Sequence, residues 1–285
     1  MTQQVRQLGC ILFACLLHST SLAYGQDTAT AKDPIPTHDE LKLDSTTLKE
    51  VRHINVLLPK QYSQTDARFP VLYMLDGGLE EDFPHVAASI EKLVESKRIA
   101  PVILVGIENT ERRRDLTGPT TVAADREIAP RVGGSAEFRT FVRDELIPKI
   151  QKQYRCSDER AIIGESLAGL FVVETLLLEP NLFNRYIAFD PSLWWNEHRL
   201  LDSSEMSLKA LEPAPRHFWF ASSGTEGIQE HSRQFSKVLE RAAPKSLQWK
   251  FDDHPSKQHS TIFRATKESA MIWALWKLPD SSAEY

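Results

Sequence analysis

From residue 51 onward the chain alternates short apolar runs with segments whose apolar positions recur at helical spacing. Val51-Arg52-His53-Ile54-Asn55-Val56-Leu57-Leu58 reads as a strand stopped by Pro59. Residues 71–75 are wholly apolar and end in Asp76-Gly77-Gly78, the pattern of a strand buried on both faces and closed by a glycine turn. Val86, Ile90, Leu93 and Val94 predict a helix over 83–97, and residues 102–107 form a second buried run. Phe138, Phe141, Val142, Leu146 and Ile150 share one helix face that ends near Tyr154. A strand over 160–164 leads into an apolar helix reaching Leu178, and strands follow at 185–189 and 217–221. A helix over 227–242, an alternating strand at Leu247, Trp249 and Phe251, and a helix over 261–278 complete the pattern. Such alternation predicts an α/β fold with a mainly parallel central sheet and helices on both faces. Functional loops then lie at the carboxyl ends of the strands, after Leu75, Ile107, Gly164, Phe189, Ala221 and Phe251.

The first 25 residues follow a different rule. A single charge, Arg6, precedes a short apolar stretch, and Ala23-Tyr24-Gly25 places small residues where a signal peptidase reads. This predicts a removed secretory signal over 1–25, a flexible leader over 26–45 carrying Pro34 and Pro36, and one domain over 46–285. An exported protein, periplasmic or secreted, is expected, with no stable membrane insertion once the signal is removed. Cys10 and Cys15 leave with the signal, so Cys156 remains alone, is read as a partly exposed structural thiol, and has no intrachain disulfide partner. With 34 Lys and Arg against 39 Asp and Glu, the net charge of −5 argues against a nucleic-acid partner. Hydrophobic residues at 41% are ordinary for a globular chain and leave oligomeric state open.

The chemistry centres on Gly164-Glu165-Ser166-Leu167-Ala168-Gly169, between a buried strand and an apolar helix. A serine at such a sharp turn projects above the sheet, beside the first amides of the helix. The usual pattern is G-x-S-x-G, and here Ala168 takes the last position. Serine needs a base, and two histidines lie in C-terminal loops: His259, which opens the last helix, is preferred, with His254 in reserve. The acid that orients the histidine is expected after the 217–221 strand, where Glu226 lies between Gly224 and Gly227; Glu230 and Asp190 compete. The oxyanion donors are expected to be the amide of Leu167 and that of Gly78, or alternatively Gly77. No metal or organic cofactor is implied.

Four blocks in order, Tyr73-Met74-Leu75-Asp76-Gly77-Gly78, Gly164 to Gly169, Asp190-Pro191-Ser192-Leu193-Trp194-Trp195 and His259-Ser260-Thr261, resemble the putative-esterase family of α/β-hydrolases. That family includes siderophore esterases, S-formylglutathione hydrolases and feruloyl or acetylxylan esterases, and the likeness spans about residues 45–278. The resemblance is strongest to the exported siderophore-esterase-like branch, and it implies that Ser166 and His259 are catalytic. It supports Glu226 less firmly, because some siderophore esterases work with an imperfect triad. Family members usually carry Ser where this chain has Asp190, which opens the prospect that Asp190 touches substrate or competes for the histidine. Arg112, Arg113 and Arg114 follow a strand end and are read either as a clamp for an anionic substrate or as a charge cluster pairing with Glu111 and Asp115. Trp194 and Trp195 are read as pocket lining or core. The expected activity is hydrolysis of a small-molecule ester through an acyl-enzyme on Ser166. An acyltransferase of the same fold, or a non-catalytic siderophore-binding relative, is the alternative.

Overall fold

The computed structural model describes residues 33–278. The signal expected over 1–25 lies outside them. An eight-stranded sheet runs in the order β1-β2-β4-β3-β5-β6-β7-β8. β1 (Asp39–Ser45), β2 (Glu50–Leu57) and β4 (Ile103–Ile107) pair antiparallel. From β4 onward every pairing is parallel, through β3 (Phe69–Met74), β5 (Cys156–Glu165), β6 (Arg185–Phe189), β7 (Arg216–Ser223) and β8 (Leu247–His254).

Side chains leave a strand alternately to its two faces, and here each face meets its own apolar layer. Val71 and Tyr73 join the layer of Phe138, Phe141, Phe171 and Phe220, while Leu72 and Met74 join that of Phe83, Ile90, Phe263 and Met271. The helices are α1 (Phe83–Glu95), α2 (Arg112–Asp115), α3 (Ala123–Glu127), α4 (Ser135–Phe141), α5 (Ile147–Gln153), α6 (Leu167–Leu178), α7 (Trp195–Lys209), α8 (Ile228–Ala242) and α9 (His259–Ala274). The single helix expected to end near Tyr154 is α4 and α5 joined by a π-helical turn at Val142–Leu146, which leaves Phe138 through Ile150 on one buried face.

Two expectations are corrected. The leader does not extend to residue 45, because Asp39–Ser45 forms edge strand β1, in register with Glu50 through Val56. Its alternation is masked by charged outward positions, as edge strands require. Cys156 is buried at the start of β5, where burial pushes its thiol up to about 11. α7 had no counterpart in the sequence pattern. Its first turn is broken by Asn196, Glu197 and His198, all in left-handed conformation, and the helix is mostly polar, with only Trp195, Leu201, Ser204 and Leu208 buried.

Candidate active site

β5 delivers Ser166 to the sheet's carboxyl edge, and α6 begins at the next residue. A one-residue junction forces an unusual backbone: Ser166 has φ 61° and ψ −118°. Such strain costs roughly 1–3 kcal/mol and persists only where the surroundings hold it. Here the Ser166 amide donates to the Phe189 carbonyl at 2.9 Å, and the Ser166 carbonyl accepts from Leu170 at 2.9 Å and Ser192 at 3.1 Å. A Cβ on Gly164 would sit 2.7 Å from the Cβ of Ala168, so the strand and helix meet only because both residues are minimal. Alanine at 168 is therefore compatible with the bend.

His259, the first residue of α9, is aimed by a capping box between Gln258 and Thr261. Its Nε2 lies 3.1 Å from Ser166 Oγ, and its Nδ1 lies 2.9 Å from Asp190 Oδ2. A carboxylate only accepts, so Nδ1 carries the proton and Nε2 faces the serine hydroxyl as an acceptor. Asp190 is fully buried directly after β6, with φ 42°. Its Oδ1 accepts the Ser223 amide at 2.5 Å, and the Ser223 hydroxyl lies 2.7 Å from Oδ2. Thr225 ties the same knot to the histidine, accepting the His259 amide at 3.1 Å. The hydrogen bond to Asp190 holds the imidazole above the ordinary histidine range, against burial and with help from Glu165.

The geometry corrects the pairing of His259 with Glu226. Glu226 is exposed in the turn between β7 and α8, and the carboxylate touching the ring is Asp190. Both loops leave neighbouring parallel strands, but only the β6 loop curls inward beneath the histidine. Glu230 is also exposed. His254 ends β8, paired with Ser223 across the sheet, and Ser166 is met by His259 instead.

The turn after β3 closes against this group. A Cβ on Gly77 would fall 2.3 Å from the Ile107 nitrogen, so only glycine permits the approach to β4. The Gly77 amide donates to the Ile107 carbonyl at 2.9 Å, and the Gly78 amide donates to Glu81 Oε2 at 2.7 Å. Both expected glycine donors are thus engaged within the protein. Leu167 opens α6, so its amide belongs to the first turn, which lacks intrahelical acceptors. Ser192 adds a hydroxyl 3.4 Å from Ser166 Oγ, a contact the sequence did not disclose.

The three arginines diverge. Arg112 clasps Asp76 with both arms, Nε to Oδ1 at 2.6 Å and Nη2 to Oδ2 at 2.8 Å, and reaches the Glu165 carbonyl at 3.3 Å. Arg113 is exposed. Arg114 points elsewhere, to Glu50 at 2.7 Å and the buried Asp115 at 2.6 Å, where Arg52 also binds. Trp195 is buried, its indole N–H donating to the Gly118 carbonyl at 2.9 Å, while Trp194 is half-buried against the core.

A strained serine, an imidazole and a buried carboxylate in hydrogen-bonded series match what nucleophilic ester chemistry requires. The sequence matches the family described as "Putative esterase" over residues 45–277. The chain belongs to that family. Ferri-bacillibactin esterase BesA of Bacillus subtilis is 28% identical over 230 residues, covering 73% of this chain and 80% of the relative. An IroE-like serine hydrolase from Shewanella oneidensis superposes with a TM-score of 0.77 at 27% identity, covering 83% of this chain and 79% of that one. The BES protein from Bacillus cereus shares the fold with a TM-score of 0.73 at 23% identity, over 85% and 97% of the two chains. The fold is that of the α/β-hydrolases, and the protein is a siderophore-esterase-like ester hydrolase. No described helix is long and apolar enough to cross a membrane.

Proposed function

We propose that this esterase is an exported serine carboxylic-ester hydrolase that works through an acyl-enzyme on Ser166, with siderophore-type esters as its substrate class. The observation that carries the reading is the unbroken series Ser166 Oγ, His259, Asp190, with contacts of 3.1 and 2.9 Å. Ser166 Oγ attacks the ester carbonyl while His259 Nε2 takes its proton. Asp190 keeps the imidazole in the receptive tautomer and stabilises the imidazolium. The histidine returns the proton to the departing alkoxide, and water repeats the sequence to free the acid.

The Leu167 amide meets the oxyanion first. Gly78 joins it only if Glu81 lets go of its amide. Arg112 holds the Asp76 turn in place and steadies the backbone just before the nucleophile.

The substrate class rests on likeness to the siderophore esterases, and export on the N-terminal pattern. p-Nitrophenyl butyrate is turned over by the mature chain, and Ser166→Ala lowers kcat by about 10⁴-fold or more. Equal rates for the two proteins sink the mechanism. Mass spectrometry after brief mixing finds the acyl group on Ser166, and comparison of ester-linked siderophores with simple alkyl esters tests the substrate class. Peptide mapping of the exported protein finds an N-terminus at Gln26.

A further inference from the structure

Ser192 follows Asp190 and Pro191 in the loop after β6, and the mechanism above gives its side chain no part. It is buried, and its backbone is locked against the nucleophile turn. Its amide donates to the Ser166 carbonyl at 3.1 Å, and its own carbonyl accepts the Trp195 amide at 3.1 Å. Pro191 is pressed against the first turn of α6. A Cβ on Gly169 would fall 3.1 Å from the Pro191 Cα and 2.8 Å from the Phe189 carbonyl oxygen, so the absent side chain at 169 lets the loop come this near. The Ser192 hydroxyl consequently stands 3.4 Å from Ser166 Oγ, on a backbone tied to the same bend.

The direction of that contact follows from the protons available. His259 Nδ1 carries the hydrogen that faces Asp190, so Nε2 is an acceptor and takes the Ser166 hydroxyl hydrogen across 3.1 Å. Ser166 has no second hydrogen to give. Among the described residues, Ser166 Oγ is the one hydrogen-bond partner of the Ser192 hydroxyl. A buried hydroxyl turns its hydrogen towards the acceptor it has, so Ser192 donates and Ser166 Oγ accepts.

We propose that Ser192 is a further catalytic residue, a hydroxyl donor that stabilises negative charge on Ser166 Oγ as the nucleophile attacks and again as it departs. The inference rests on Ser166 being the nucleophile. During attack the Ser166 proton passes to His259 Nε2, Oγ bonds to the carbonyl carbon, and the carbonyl electron pair moves onto its oxygen. Ser192 keeps its own proton throughout. In the resting site its hydrogen bond to a neutral hydroxyl is long, at 3.4 Å. As charge gathers on Oγ, the same bond becomes charge-assisted, shorter and stronger. A contact that strengthens between ground state and transition state raises the rate of the step rather than affinity. Deacylation gains in the same way, because there Oγ is the leaving oxygen until His259 returns its proton.

Labelling of the full chain by a fluorophosphonate isolates the attack step, since Oγ displaces fluoride from phosphorus and the adduct stays in place. Ser192→Ala lowers the limiting labelling rate about tenfold, the margin between a charged and a neutral hydrogen bond, and leaves the half-saturating concentration within about twofold of the parent. Ser192→Cys fills the space but donates weakly, and it shows the same loss. The acid limb of the labelling rate against pH stays in place in both variants, because the contact between His259 and Asp190 is intact. A rate unchanged in Ser192→Ala, a loss that Ser192→Cys does not share, or a limb that moves overturns the proposal. If Ser192→Ala does not fold, the rate and the limb of Ser192→Cys alone decide. Peptide mapping of the label separates the two ways to fail. Label on Ser166 at a rate indifferent to position 192 removes Ser192 and keeps the nucleophile, while label on any other residue removes both.

Discussion

The loops after β6 and β7 begin side by side, with Phe189 paired to Ala221 across the sheet and the Asp190 amide bonded to the Ala221 carbonyl at 2.9 Å. Both carry a carboxylate that precedes the histidine in the chain. The first loop turns inward at a strained residue and seals Asp190 from solvent; the second runs outward and leaves Glu226 in water. The contrast shows that the carboxylate meeting His259 is selected by burial and by donors that hold it, not by the strand it follows. β7 itself still contributes, because its last residue, Ser223, supplies the amide and the hydroxyl that hold Asp190.

The sharpest way to break this contrast is Asp190→Asn. It lowers kcat/KM by roughly 10³- to 10⁴-fold with little change in KM, since an amide can favour the wrong tautomer of His259. The pH profile carries a second signature. His259 must be neutral to act, and Asp190 raises its pKa. Activity in the parent therefore fails early as pH falls, and in residual Asp190→Asn activity that limb moves to lower pH. A limb that stays in place removes Asp190 from the proton relay.

A third carboxylate sharpens the comparison from the side of stability. Asp190 is buried with donors, whereas Glu165 is half-buried with its Oε1 enclosed and unpaired, and its carboxyl is pushed up from 4.5 to about 8. A raised folded-state pKa means stability is fully present below 4.5 and is lost as pH rises towards 8. Glu165→Gln does not titrate, so its stability relative to the parent grows across that window, to of order 3 kcal/mol. Urea unfolding at pH 5 and pH 8.5 reads the difference, and a constant gap between the two proteins contradicts it.

Ser223→Ala asks how much the β7 end contributes. It removes the hydroxyl but spares the amide, so kcat/KM falls about tenfold, the effect of one hydrogen bond to a charged group. The smallest effect belongs to Glu226→Gln, which stays within about twofold of the parent because solvent screens an exposed carboxylate. A loss approaching that of Asp190→Asn returns the acid to the β7 loop.

Much of this architecture is legible in the chain. Buried strands announce themselves as apolar runs, and the bend at Ser166 is local, needing only a small residue on each side. His259 is readable for a similar reason, as the residue that opens the last amphipathic helix. β1 is not, because an edge strand with charged outward positions looks like a polar leader. Nor is α7, where a mostly polar run buries only Trp195, Leu201, Ser204 and Leu208. The arginine run is half legible: its position after β4 is plain, but Arg112 and Arg114 leave in different directions, one to Asp76 and one to the buried Asp115.

Sequence alone determined most of the succession of strands and helices and pointed to Ser166 and His259, because each depends on residues within one or two turns of chain. Tertiary structure decided which carboxylate meets the imidazole, which arginine reaches the end of β5 and which glycine amides are already engaged. Those outcomes depend on how loops from separate strands curl once the sheet has aligned their ends, and on which polar atoms then find donors before water is excluded.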